Sequence, residues 1–202
     1  RALVCNTYSA EETRIVGASL APVLLPGDVI SLSGDLGAGK TAFVQGVAIA
    51  LGVETRVTSP SFTIVHEYDG RYPILHLDVY RLNSFQEVID LGFEEYLDPE
   101  AIVLIEWGEA IGPLLPRRFL EVDLRRPDDI DDDDARRLTF RPHGTEWIVK
   151  IQSMRDTAET LLDAASEETG TGSRFVVSDV PQPRKNEDRA ETHDDRTEET
   201  GT

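Results

Sequence analysis

Two hydrophobic periods alternate along residues 1–152. Residues 3–7 read as a short strand. Ser9, with Glu12 three positions on, makes a capping box, and the spacing behind it predicts a helix to about Leu24. A strand is expected at 28–33, where Val29, Ile30 and Leu32 cluster, and a helix at 40–51 that stops at Gly52. Residues 62–68 and 73–78 read as strands joined through Asp69-Gly70, a hairpin signal. Ser84 with Glu87 predicts another helix, to about Leu91. Residues 101–106 form an unbroken apolar run that ends in acid, which marks a strand buried on both faces. Strands at 119–124 and 138–141 follow, then a helix from near Glu146 that carries Trp147, Ile148, Ile151 and Met154 on its periodic positions. Helices mixed with both buried and alternating strands predict an α/β domain with a mixed parallel and antiparallel sheet.

Composition divides the chain. From Gln152 to Thr202 there are 13 acidic against 6 basic residues, and only 6 of 51 are Leu, Ile, Val or Phe. That lies below the roughly 20% at which a charged segment can fold on its own. Residues 1–152 are therefore read as one domain and residues 153–202 as an acidic tail, largely disordered after about 166. Another acidic run holds six Asp between Asp128 and Asp134; it interrupts two strands and is expected to be an exposed loop. It lacks the Gly and Glu spacing of a calcium loop.

The whole chain carries 20 Lys and Arg against 38 Asp and Glu, a net −18. Such a surface on average repels polyanions, which argues against direct nucleic-acid binding driven by phosphate contacts. The single cysteine, Cys5, excludes an intrachain disulfide framework and suits the reducing cytoplasm. No apolar stretch approaches the ~18 residues of a membrane span. The chain opens on Arg1 rather than Met, so a preceding start is expected.

Gly34-Asp35-Leu36-Gly37-Ala38-Gly39-Lys40-Thr41 fits G-x-x-x-x-G-K-S/T at every fixed position. Glycines let successive amides turn inward into a concave nest, and the following helix aims its positive end at the same point. Lys40 would reach the β- and γ-phosphates, and the Thr41 hydroxyl would hold Mg²⁺. The expected strand before and helix after supply the required context. A phosphate-loop enzyme also needs an acid at a neighbouring strand end. Glu106, closing the apolar run, and Asp78, closing 73–78, are both candidates. His76 and Asp78 share a strand face; with no third soft ligand beside them, structural hydrogen bonding is the favoured reading over a metal pair. The Thr58-Ser59-Pro60-Ser61-Phe62-Thr63 loop suits a segment that orders around a γ-phosphate, or a plain polar connector.

Four blocks together resemble the bacterial TsaE (YjeE) family of phosphate-loop ATPases. They are the phosphate loop, Ser59-Pro60-Ser61-Phe62-Thr63, His76-Leu77-Asp78-Val79-Tyr80-Arg81-Leu82 and Ile105-Glu106-Trp107. The resemblance covers about residues 3–150; Gly108 stands where the family usually has Pro. It implies a three-layer P-loop NTPase-like fold and slow, Mg²⁺-dependent ATP hydrolysis that supports threonylcarbamoyladenosine formation in tRNA. It implies TsaD-like and TsaB-like partners, with tRNA met only through them and no membrane involved. ATP or ADP would be bound by Asp35, Leu36, Gly37, Ala38, Gly39, Lys40, Thr41 and Ala42, with Thr13, Trp107 and Arg136 beside the nucleotide. Mg²⁺ would sit on Thr41 and Glu106. Lys40, Asp78 and Glu106 would be the catalytic groups, Asp78 by orienting the attacking water. Two rivals remain: a small-molecule kinase, for which no lid-length insertion exists, and an ATP-gated binding switch with little turnover. A GTPase is disfavoured because no N-K-x-D follows.

Overall fold

The computed structural model describes residues 2–82, 85–90, 92–165 and 175–178. Its elements are β1 (Ala2–Thr7), α1 (Ala10–Ala18), β2 (Val29–Ser33), α2 (Lys40–Ala50), β3 (Val65–Asp69), β4 (Pro73–Asp78), α3 (Phe85–Asp90), β5 (Ile102–Glu106), β6 (Phe119–Arg125), β7 (Arg136–His143), α4 (Thr145–Ala165) and β8 (Phe175–Ser178). Among the described residues the strands form one sheet, ordered β3-β4-β5-β2-β6-β7-β1-β8.

An unbroken apolar run needs cover on both faces, and all five residues of β5 are buried. Parallel neighbours flank it: β4 on one side and β2 on the other, with β6 parallel beyond β2. The outer pairs β3/β4, β6/β7, β7/β1 and β1/β8 are antiparallel. The mixed α/β sheet expected from the sequence is the one that forms.

One face packs against α1, α2 and α4. Ile30, Leu32, Leu104, Leu120, Val122 and Phe140 from the sheet meet Val16, Phe43, Val47, Trp147 and Met154 from the helices. On the other face, α3 and 3-10 turns at Phe93–Tyr96 and Gly108–Leu114 cover β4, β5 and β2 through Val88, Phe93 and Ile111. Three layers result. The same face of β6 and β7 is polar, with Arg141 donating to Glu121 at 2.7 Å and Phe119 stacked on His143.

The predicted Ser9 cap forms: its hydroxyl accepts from the Glu12 amide at 3.1 Å. Glu12 returns to the amide of Tyr8 rather than to that of Ser9. Helix α1 ends at Ala18, short of Leu24. The chain tightens there into turns, with Leu20 bonding Gly17 and Ala21 bonding Ala18. Leu20, Ala21 and Leu24 stay buried, so the apolar period continues after the helix stops.

Strand β3 starts at Val65, three residues later than the expected 62. The carbonyl of Pro60 accepts from both Thr63 and Ile64, closing a turn, and Ile64 adopts φ 71. The predicted Ser84 cap lies outside the described residues. Helix α4 runs through residue 152 without a break, and its Met154, Ala158 and Leu162 join the main core. Strand β8 lies inside the acidic tail: Phe175 to Ser178 pairs with β1 in the register Cys5↔Phe175 to Ala2↔Ser178. Four residues of mostly β-branched or aromatic character suffice because an existing strand supplies the template. The rest of the tail expected to be disordered, 166–174 and 179–202, lies outside the described residues.

Helices α1 and α2 cross with their backbones in contact. A Cβ on Gly46 would sit 2.0 Å from the Arg14 carbonyl oxygen, and one on Gly17 would sit 2.3 Å from that of Phe43. Gly46→Ala should therefore cost about 1–3 kcal/mol of overpacking. Gly112→Ala, with nothing within 4 Å of the added carbon, should shift stability by less than about 0.5 kcal/mol. Denaturant unfolding of the two variants checks the contrast; equal midpoints would contradict the backbone contact.

Candidate functional site

Parallel register brings the chemistry to one sheet edge. Leu32 of β2 pairs with Glu106 of β5, and Glu106 pairs with Asp78 of β4. Both predicted acids thus finish level with the loop that leaves β2. Gly34 begins that loop at φ 124, where a side chain would meet the Leu124 carbonyl oxygen at 2.0 Å. The glycine is required twice, by conformation and by space. Gly39 ends the loop at φ 104 with no side-chain cap on α2, so the helix start keeps its own amides free to face the cleft.

Lys40 is buried, and its ammonium donates to the carbonyls of Gly34 at 2.7 Å and Asp35 at 2.9 Å. It also lies 3.7 Å from the centre of the Trp107 ring. Burial pushes Lys40 below the usual lysine range, opposed by the nearby carboxylates of Glu106, Glu109, Asp78 and Asp35. Burial likewise raises the Glu109 carboxyl. Trp107 has φ 64, a left-handed conformation costing about 1–3 kcal/mol that persists only where surroundings enforce it. Its indole is held between Lys40 and the Tyr80 ring, 4.6 Å away.

The Thr41 hydroxyl lies 2.9 Å and 3.2 Å from the two oxygens of Glu106. His76 Nε2 stands 2.9 Å from Glu106 Oε1. A hydroxyl and a carboxylate side by side are hard oxygen donors, the set that suits Mg²⁺ with substrate phosphates completing its shell. Asp78 is occupied differently. Its Oδ2 accepts from Ser59 at 2.5 Å and Ser61 at 3.2 Å, and its Oδ1 accepts from the Tyr80 amide at 3.0 Å.

Leu36, Gly37, Ala38, Gly39, Lys40, Thr41, Ala42, Asp78, Glu106 and Trp107 line one cleft of about 270 Å³. Every sequence-predicted residue except Asp35, Thr13 and Arg136 therefore meets there. Asp35 borders the adjoining polar groove on the other sheet face. Arg136 Nη2 reaches the Gly37 carbonyl at 3.4 Å, at the rim, while Arg137 turns away to Asn6 and Asp129. Thr13 is buried behind Gly39, its hydroxyl 2.8 Å from that of Thr7. Ser59, Ser61 and Tyr80 also line the cleft. The serines stand in the loop already singled out, but only the fold reveals that they bind Asp78. His76, expected to take part in structural hydrogen bonding, does so with Glu106.

The family model for the threonylcarbamoyl adenosine biosynthesis protein TsaE matches residues 7–137. The chain belongs to the TsaE family. The TsaE match runs from the end of β1 into β7, and so spans Thr13, the phosphate loop, both acids and Arg136. The TsaE protein of Bacillus subtilis is 40% identical over 150 residues, 74% of this chain and 91% of the relative. That of Treponema pallidum is 40% identical over 121 residues, 60% of this chain and 90% of the relative. The crystal structure of Bacillus subtilis YdiB is similar with a TM-score of 0.65 and 36% identity, covering 76% of this chain and 94% of that one.

If Asp78 anchors the 58–63 loop, Asp78→Ala frees two hydroxyls and the Tyr80 amide. Hydrogen exchange at the Tyr80 amide should accelerate at least about tenfold, with about 1–3 kcal/mol of stability lost. Asp78→Asn, which keeps an accepting oxygen, should lose less. Unchanged exchange in Asp78→Ala would contradict the anchor.

Proposed function

We propose that this TsaE-family chain hydrolyses MgATP in support of tRNA threonylcarbamoyladenosine formation. One observation carries the reading: Lys40, Thr41 and Glu106 converge at the uncapped start of α2, at the carboxyl ends of the sheet's parallel strands. The relatives are named for that tRNA modification.

Water attacks the γ-phosphorus in line, the bond to the β–γ bridging oxygen breaks, and ADP and phosphate leave. Catalysis of this kind is positioning and charge stabilisation. Amides of residues 36–40 cradle the phosphates. Lys40 exchanges its two loop carbonyls for phosphate oxygens and offsets charge on the γ-group. Asp78, its Oδ2 held by the Ser59 and Ser61 hydroxyls, orients the attacking water. Thr41 and Glu106 would hold Mg²⁺, which supplies charge neutralisation on the β- and γ-oxygens. Arg136 at the rim of the loop borders the nucleotide, and Thr13 backs the loop from beneath.

Isolated turnover is slow because partners, TsaD-like and TsaB-like proteins, complete the site. Three large apolar side chains stand exposed around its mouth: Leu36 at 81%, Phe62 at 85% and Tyr80 at 54%. They would be covered when a partner docks. The net charge of −18 leaves tRNA to be met through those partners. Among the described residues no helix is long and apolar enough to cross a membrane; the cytoplasm, where tRNA is modified, is the proposed location.

Lys40→Ala should lower phosphate release from MgATP by at least about 100-fold. Release at the wild-type rate would refute the loop assignment. Nucleotide should also draw the Lys40 ammonium off the Trp107 ring and change tryptophan emission. Trp147→Phe should keep that response and Trp107→Phe should lose it; a response that follows Trp147 would place the nucleotide elsewhere.

A further inference from the structure

His76 is fully buried on β4, on the sheet face that meets the helices. Its strand neighbour two residues back, Ile74, is an apolar core residue, as is Leu104, its partner on β5. An apolar side chain would continue that surface. Histidine instead brings two ring nitrogens into it, and only one is used. Nε2 contacts Glu106 Oε1 at 2.9 Å, while Nδ1 is buried with no hydrogen-bond partner. A carboxylate can only accept, so the Nε2 that faces it is a donor. A buried polar atom without a partner opposes folding, so the core alone does not account for this residue.

The account lies in the carboxylate it holds. Glu106 Oε1 lies within hydrogen-bond distance of both His76 Nε2 and Thr41 Oγ1. Thr41 would leave that bond to bind a metal ion; His76, fixed in the sheet, would not. We propose that His76 is a positioning residue. Its Nε2–H fixes the rotamer of Glu106 so that the carboxylate faces the Thr41 hydroxyl ready for Mg²⁺. The inference rests on the proposed MgATP reading. It adds that the divalent cation's affinity is set partly from behind the acid, by a residue that touches neither the nucleotide nor the cation. Outer-shell partners of this kind, when removed, typically lower metal affinity about 10- to 100-fold.

The test measures binding, without turnover. ATP affinity is determined by calorimetry in EDTA and across a Mg²⁺ titration, for wild type, His76→Leu, His76→Gln, His76→Asn and Glu106→Gln. His76→Leu should leave affinity in EDTA unchanged and raise the Mg²⁺ midpoint by about 10- to 100-fold. His76→Gln, whose amide reaches the Nε2 position, should recover most of the loss. His76→Asn, whose amide stops at the Nδ1 position, should not; the Gln and Asn pair decides the matter even if the leucine variant does not fold. A Mg²⁺ midpoint within twofold of wild type in His76→Leu, or equal midpoints for Gln and Asn, overturns the positioning role. A different failure is recognisable: wild type whose ATP affinity ignores Mg²⁺, or Glu106→Gln with the wild-type midpoint, overturns the MgATP reading and this inference with it.

Discussion

Everything at the site depends on the level ends of three parallel strands. Because β4, β5 and β2 run in register, Asp78, Glu106 and the start of the phosphate loop finish at the same height. Two carboxylates and a buried lysine can then share one small cleft. Each alone would be costly so far from bulk water; together they are tolerable, since Lys40 is drawn back toward its charged form by Glu106, Glu109, Asp78 and Asp35. The rest of the sheet, with its helices, keeps those ends aligned. The α1/α2 contact at Gly17 and Gly46 serves the same purpose, since it holds the helix whose first turn forms the floor of the loop.

Much of this was legible in the chain, and the reasons are local. The apolar run before Glu106 demands a central strand, and a central strand next to a phosphate loop must present its last residue to the cleft. Gly34, Gly37 and Gly39 announce the loop because only glycine takes those backbone angles cheaply. What sequence periodicity could not reveal depends on contacts between distant segments. The turn at Pro60 delays β3 through hydrogen bonds to one carbonyl. The partner of His76 is decided by a neighbouring strand, so the expectation of structural hydrogen bonding could not name Glu106. Ser59 and Ser61 stand in a loop whose composition fits a connector as well as a working segment, and their bonds to Asp78 come only with the fold. The strand at Phe175–Ser178 sits in a segment whose average composition is that of a tail, and an average over fifty residues conceals four that pair.

Trp107 and Ile64 are the two non-glycine residues with positive φ among the described ones. One places an indole against Lys40; the other turns the 58–63 loop so that its serines reach Asp78. Backbone strain of this kind gathers where side chains must be aimed rather than merely packed. Leu36 stands exposed in the same cleft where Lys40 is buried: the walls are fixed by the sheet, while the lip is left apolar and uncovered.

Strand β8 has one further effect. Without it β1 would present a row of unpaired amides and carbonyls six residues long, a template onto which another chain could add. With it the sheet closes on that side in only four residues, and at the opposite side in a strand, β3, that carries His66, Glu67 and Asp69. Short or polar borders of this sort discourage one sheet from fusing sideways with the next. The tail's brief return to the sheet thus replaces a six-residue border with one of four.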